Sequence, residues 1–432
     1  MRAFAATLLP AHGGSGLRPL FVENLAQDTL RNLPRVPISE RGYGDLLMLG
    51  MGGFTPLTGF MTRDEWHSVC DGFQLPDGTF WPMPVLLDVD ADSVPSAAER
   101  VVLTYNERSV GVLTVREVWH MSEADIRLEA ERIYRGHGKD SQEFWATAPA
   151  RHPGVQHIFS RKRTFLGGKL DVLVRDERFS PDFLLSPADF RSMADARGWK
   201  NIISLQLRNP PHRSHEYLAR IGLELGDALL IHTPVGALKE GDLPADIRLA
   251  CIRAMVDNYL PRDRVVVAGY PLDMRYAGPR EALLHATFRQ NYGVSCQIVG
   301  RDHAGVADFY EPFESQTIFD TIPVSDQPTK DLLTRPLCVM WPFFCKKCGC
   351  MATLKTCPHT PEDRVLHSGS LLRKCLTEGS SPPEGLLRPE VTAILQDYYQ
   401  NHTATMVAPL YGAASGATMP ESLSTNVSEV QS

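Results

Sequence analysis

The sequence has no run of 18 apolar residues, the length a membrane-crossing helix needs. It has no excess of basic charge: 44 Lys and Arg stand against 51 Asp and Glu, for a formal net charge of −7. That balance argues against a dedicated nucleic-acid binder and leaves room for a local basic pocket holding anions. There is no Gly-x-x-x-x-Gly-Lys-Ser/Thr, so P-loop phosphate chemistry does not fit, and no His-Glu-x-x-His, so neither does a zinc-protease helix. Cysteine is thin outside one stretch: of the nine, Cys70, Cys251, Cys296, Cys338 and Cys375 are scattered. Met1 to Leu9 runs at once into Pro10, His12, Gly13 and Gly14, a poor secretory signal. With an odd cysteine total, the expected setting is the reducing cytoplasm, where clustered cysteines favour metal over disulfide. What remains is a globular profile, with 43% apolar and 22% charged residues over 432 positions, enough for two or three domains.

Residues 1–170 read as mixed and strand-rich, with WPMPVLLDVDAD (81–92) as a strand and RVVLTYNERSVGVLTVREVWHM (100–121) as a hairpin turning near Asn106-Glu107-Arg108. GMGGFTPLTGFM (50–61) is a glycine-rich loop, and residues 122–136 form a helix capped by Ser122. From 171 to 335 strand-like runs alternate with helical ones: 201–207, 212–225, 227–236, 244–260, 264–271, 280–292 and 295–300. Such alternation implies a parallel sheet covered by helices, with ligands beyond the carboxyl ends of its strands. Residues 336–400 hold a cysteine cluster and helices at 368–379 and 388–400, and 401–432 is expected to be a disordered tail.

The strand ends therefore carry the chemistry. Gln206-Leu207-Arg208-Asn209-Pro210-Pro211-His212-Arg213-Ser214-His215-Glu216 sits where a strand hands over to a helix. Free N–H groups at that helix start, Arg208, and His212 and His215 on one face of the first turn suit a polyphosphate; a solvated turn with a capping histidine is the alternative. Gly300-Arg301-Asp302-His303-Ala304-Gly305 follows another strand, with glycines for close approach and cations for anionic oxygens; a plain Arg–Asp turn is its alternative. Lys239, Arg275 and Arg280 lie at the remaining strand ends, and together these cations look like a nucleotide polyphosphate pocket. Cys345, Cys348, Cys357 and His359 have the spacing of a closed tetrahedral zinc site stapling a small module, with Cys350 or His367 as possible replacement ligands.

In order, Gln-x-Arg-Asn-Pro-x-His-x-x-His, Lys-x-Gly-Asp, Met-x-Tyr-Ala-Gly-Pro-Arg-Glu and Gly-Arg-Asp-His-Ala-Gly resemble the ATP sulfurylase (sulfate adenylyltransferase) family. The stretches at His12–Gly14, Gly53–Met61, Ser368–Ser370 and Arg388–Val391 are similar too, so the likeness covers about 1–400. The resemblance implies an α/β protein with three parts: a PUA-like β-rich domain, a Rossmann-like nucleotidylyltransferase domain with a parallel sheet, and a small zinc-bearing C-terminal domain. It implies ATP + sulfate ⇌ adenosine 5′-phosphosulfate + diphosphate, with Mg²⁺ accompanying ATP, structural Zn²⁺ and a homo-oligomer. Gln206, Arg208 and the backbone at Ala304 would hold sulfate. Asn209, His212 and His215 would hold the ATP phosphates and stabilise the leaving diphosphate, and Gln206, Gly300, Arg301, Asp302 and His303 would contact the nucleotide. Arg213 to Leu218 look closest to forms from dissimilatory sulfur metabolism, which implies a reaction able to run toward ATP. Two stretches depart from the family: Leu207 replaces a usual Thr, and Ser295-Cys296-Gln297-Ile298 replaces Thr-His-Phe-Ile. Leu207 is the ground for a second reading, a catalytically weakened nucleotide-binding paralogue with a regulatory role.

Overall fold

The computed structural model describes residues 7–23, 30–94, 99–237, 242–365, 375–376, 380, 382 and 385–401. Lys239, His367, most of the expected helix at 368–379 and the expected tail from 402 lie outside the described residues. No helix among those described is long and apolar enough to cross a membrane.

The chain first builds β1 (Arg35–Pro37), α1 (Glu40–Gly50), β2 (Gly59–Phe60), α2 (Arg63–Gly72), β3 (Asp88–Val89), β4 (Arg100–Tyr105) and β5 (Arg108–His120). Helices α3 (Glu123–Tyr134), α4 (Ser141–Arg151) and α5 (Pro153–Ser160) then lead to β6 (Thr164–Val172). These strands form one six-stranded sheet in the order β1-β4-β5-β6-β2, with β3 also on β6 and only β1–β4 parallel. The β4–β5 hairpin turns at Asn106 and Glu107, both at positive φ (47° and 64°), as a tight hairpin turn requires. Ser122 caps α3 through the backbone N–H of Asp125, and Asp125 returns the bond to the Ser122 N–H. The expected strand over 81–92 shrinks to the two residues of β3. Pro82 and Pro84 have no N–H to give a ladder, so 81–87 is buried but irregular.

The second unit is α6 (Pro187–Ala196), β7 (Ile202–Gln206), α7 (Arg213–Leu225), β8 (Ala228–Pro234), α8 (Ala245–Tyr259), β9 (Val265–Tyr270), α9 (Gly278–Asn291), β10 (Cys296–Val299) and β11 (Arg335–Cys338). Its five strands run parallel in the order β11-β10-β7-β8-β9, so their carboxyl ends share one edge. Side chains alternate between two cores. Ile202, Ala228 and Leu230 join an apolar cluster that continues into the N-terminal sheet, whereas Ile203, Leu205, Leu207, Leu229 and Ile231 pack with α7 and α8. Helix α9 is buried along its whole length, so its sequence is not divided into an apolar core face and a solvent face.

The third unit is a small antiparallel sheet of β12 (Phe343–Cys345), β13 (Cys350–Ala352) and β14 (Arg364–Val365), followed by α10 (Pro389–Asn401). Helix α10 docks on α8 and the segment just before it through Leu243, Cys251, Val391, Leu395 and Tyr399. Arg388 makes two hydrogen bonds, 2.7 and 2.8 Å, to the Glu216 carboxylate on α7.

Candidate active site

Strand β7 ends at Gln206, and the chain bends through Arg208 and Asn209 before entering α7. Because side chains alternate along a strand, Gln206 and Leu207 face opposite sides. Leu207 is 1% exposed in the α7–α8 core, so the residue that replaces the usual Thr packs under the helix. Gln206 faces α9 and the next strand end. Its Nε2 lies 3.7 Å from the Met274 sulfur. Met274 packs with Tyr276 and Ala304. The Arg208 guanidinium lies 5.1 Å over the Tyr276 ring, and its Nη2 donates to the Gly305 carbonyl at 3.0 Å. The Arg208 Nη1 is buried with no hydrogen-bond partner among the described residues. Gln206 and Arg208 therefore border one spot with Ala304, which lies far along the chain.

The backbone around that spot is held in uncommon conformations. Tyr276 (φ 60°) and Ala304 (φ 55°) are non-glycine residues in the left-handed region, which occurs sparsely and gathers at functional sites. Gly278 (φ 47°) donates its N–H to the Ala304 carbonyl at 3.1 Å, and a Cβ there would come within 2.7 Å of the Tyr310 ring.

His303 sits beside the same edge. Its Nε2 is 3.0 Å from Nδ1 of His285 on α9, and His285 Nε2 is 3.4 Å from the Glu281 carboxylate. Burial drives both histidines well below their usual range, with Arg289 and Arg208 reinforcing it, so the pair is neutral near pH 7. Glu281 accepts the backbone N–H groups of Arg275 and Ala277 at 2.8 and 3.1 Å, fixing the entry to α9. His212 and His215 stack on each other at the start of α7, centroids 3.8 Å apart. His215 Nδ1 accepts the His212 N–H at 3.3 Å, which places the proton of a neutral His215 on Nε2. Asn209 is half-buried in the turn between Arg208 and α7. Gly300 has open space where a Cβ would stand, Asp302 is exposed, and Arg301 lies 4.7 Å over the Trp341 ring.

Two expected pocket cations belong elsewhere. Arg275 is buried in an ion pair with Asp45 of α1. Arg280 donates to the carbonyls of Val69, Cys70 and Pro82 at 3.2, 2.9 and 3.0 Å and lies 3.5 Å over Phe73. Arg275 binds the N-terminal unit to the loop before α9 and Arg280 binds it to the first turn of α9, so their donors are spent on structure. The glycine-rich segments near the N-terminus do the same: Asn291 donates to the carbonyls of Gly53 and Thr55 and accepts the His12 N–H.

Sequence reasoning missed Glu281, His285 and Arg289. They recur every four residues, so they form one polar face of a helix that is buried on all sides. That i, i+4, i+8 recurrence was the available signal.

Away from this edge, Cys345, Cys348, Cys357 and His359 converge, their ligand atoms all within 4.8 Å of one another. The Cys348–Cys357 sulfurs are 3.7 Å apart, and His359 Nδ1 is 3.3, 3.2 and 3.6 Å from the three sulfurs in order. A tetrahedron with metal–sulfur bonds of about 2.3 Å has edges of about 3.5 to 3.8 Å, so the four groups fit one zinc ion. Cys350, expected as a possible substitute ligand, is exposed on β13 and outside the cluster.

Parallel strands with an anion-ready guanidinium, neutral imidazoles and a strained backbone at their carboxyl edge define the class: an α/β nucleotidyltransferase. An ATP-sulfurylase family profile matches residues 181–398, and a PUA-like domain profile matches 9–175. A sulfate adenylyltransferase of Desulfovibrio desulfuricans is 49% identical, with 95% of this chain and 99% of that one covered. One of Desulfatibacillum aliphaticivorans is 48% identical over 95% of this chain and all of that one, and one of Thiobacillus denitrificans 43% over 92% and 96%. A solved structure described as a hexameric APS kinase from Thiobacillus denitrificans shares the fold, with TM-score 0.69 and 22% identity over 90% of this chain and 69% of that one. The chain belongs to the ATP-sulfurylase family.

Proposed function

We propose that the chain is a sulfate adenylyltransferase that joins sulfate to the adenylyl group of MgATP and releases diphosphate, and that also runs in reverse. The carrying observation is the buried, partnerless Nη1 of Arg208 beside Ala304 and Gln206. A buried donor without a partner costs free energy unless a ligand completes it. Gln206, Arg208 and the Ala304 N–H hold the sulfate. Asn209, His212 and His215 hold the ATP phosphates and stabilise the leaving diphosphate. Gly300, Arg301, Asp302 and His303 contact the nucleotide.

Sulfate arrives already ionised, so no base need take a proton. One sulfate oxygen attacks the α-phosphorus, the bond to the β-phosphate bridge breaks, and diphosphate leaves with the electron pair. The obstacle is anion meeting anion, and fixed donors in a water-poor site lower it by positioning and charge stabilisation. Leu207 lends no weight to a regulatory paralogue, since its side chain lies in the apolar core. Cys345, Cys348, Cys357 and His359 hold structural zinc, which fixes a module whose own apolar cluster is small. The boundaries at 170, 335 and 400, a cytoplasmic setting and a homo-oligomer complete the proposal.

The test measures sulfate-dependent diphosphate release from MgATP, and ATP formation from adenosine 5′-phosphosulfate and diphosphate. Both proceed in the wild type, and His212→Ala lowers both about a hundredfold without unfolding the protein. A wild-type protein inactive in both directions contradicts the proposal.

A further inference from the structure

Arginine has only donors, so whatever accepts from it must turn an oxygen toward it. Arg289 on α9 has no exposed surface. Its Nη2 donates to Gln206 Oε1 at 3.0 Å. The Gln206 amide oxygen is therefore turned inward, and its NH₂ group is turned toward Met274, whose sulfur at 3.7 Å is a weak acceptor. Arg289 is itself held from behind. Its Nη1 donates to Gln297 Oε1 at 3.0 Å and to the His285 carbonyl at 3.2 Å. Gln297 in turn donates its NH₂ to the Ala282 carbonyl at 3.3 Å, which fixes its oxygen toward Arg289. The guanidinium also lies 4.8 Å over Phe288 and 5.6 Å over Tyr270. Among the described residues no carboxylate pairs with it. Three neutral oxygens, of Gln206, Gln297 and the His285 carbonyl, therefore do the holding, at a buried position where a charge is costly to keep.

We propose that Arg289, anchored by Gln297, is a positioning residue for the sulfate subsite: it locks the Gln206 amide with its NH₂ toward the anion. The inference rests on the sulfate role proposed above for Gln206. A glutamine amide free to rotate would present oxygen to an oxyanion for part of the time, and that orientation repels the ligand. The chain of donors from Gln297 through Arg289 to Gln206 removes it.

The test separates the Michaelis constants for sulfate and ATP in Gln206→Ala, Arg289→Met, Gln297→Leu and the Gln206→Ala/Arg289→Met double variant. Arg289→Met is expected to raise KM for sulfate roughly tenfold and leave KM for ATP within about twofold, as for one lost bond to a charged group. Gln297→Leu is expected to move KM for sulfate the same way, about threefold, and serves the same test should Arg289→Met not accumulate as folded protein. The double variant is expected to match Gln206→Ala alone, because Arg289 acts through Gln206. An unchanged KM for sulfate in folded Arg289→Met or Gln297→Leu, or a parallel rise in both constants, overturns the proposal. If Gln206→Ala also leaves KM for sulfate unchanged, the subsite reading beneath it fails; if only Gln206→Ala raises it, the positioning claim alone fails.

Discussion

Arg208 and Arg280 are both cations that the sequence places near the carboxyl edge of the parallel sheet, Arg208 in the turn after β7 and Arg280 in the first turn of α9, and they have opposite fates. Arg280 meets three carbonyls of the N-terminal unit and an aromatic face. Arg208 spends one nitrogen on Gly305 and keeps another buried without a partner. Charge at a strand end is therefore a poor guide to function by itself. At these two positions the difference lies in whether the terminal donors are already used when the chain has folded.

The comparison can be broken first at Arg280. Arg280→Ala leaves buried carbonyls unmet and is expected to cost about 3 kcal/mol in urea unfolding, while the protein that remains folded keeps its turnover. A stable Arg280→Ala protein with lost turnover would move this residue into the site.

The same contrast extends to the thiols. Cys70 and Cys251 are buried singly, and burial pushes the Cys251 thiol up to about 12, whereas the clustered thiols face a common centre. Cys357→Ser is expected to carry less zinc than the wild type by elemental analysis and to have a looser small sheet; Cys251→Ser should match the wild type in metal content. Retained zinc in Cys357→Ser would point to a different ligand set.

A smaller effect comes from acid. Burial pushes His152 down to about 4 and His157 down to about 2, the latter also beside Arg41, Arg161 and Arg275. His152 Nδ1 accepts the N–H groups of Gly154 and Val155, a role that protonation ends. The unfolded chain binds protons near pH 6.5 that the folded chain refuses, so stability falls as pH drops from about 6.5 toward 4. Urea midpoints across that range check this, and His152→Asn should flatten the slope. A flat wild-type curve would mean these rings are charged in the folded protein.

The smallest effect is expected at Glu216. Burial alone would raise its carboxyl, but hydrogen bonds from Arg388 and Arg220 override this and hold it below the usual range. Its clasp on the C-terminal helix is present above the ordinary carboxylate range and weakens as pH falls through the lowered value. Glu216→Gln should speed proteolysis of the segment near Arg388 severalfold at neutral pH, with the central sheet unaffected.

The central sheet was legible because β7 to β10 alternate with helices in plain periodicity, and the Ser122 cap and the Asn106-Glu107 turn carry local chemistry. Strand β11, four residues with Pro336 inside, had no such pattern and exists only because β10 offers it an edge. The β12–β14 sheet was hidden behind its cysteines. At the site, Gln206, Arg208 and Ala304 were readable from motifs, whereas the fate of Arg275 and Arg280 was not. Their partners lie in α1, in α2 and near Pro82, some 200 residues earlier in the chain, and only the tertiary fold brings them together. Arg289 escaped notice for a related reason: a polar stripe on a helix reads as a solvated face until the helix proves to be buried on all sides.

The most direct test is sulfate-dependent diphosphate release by Arg208→Ala at saturating MgATP, set beside its urea midpoint. Release about a hundredfold below the wild type with an unchanged midpoint is the expected result. Near-normal release, or a loss of stability like that expected of Arg280→Ala, would contradict the claim that the buried Nη1 of Arg208 is what receives the anion.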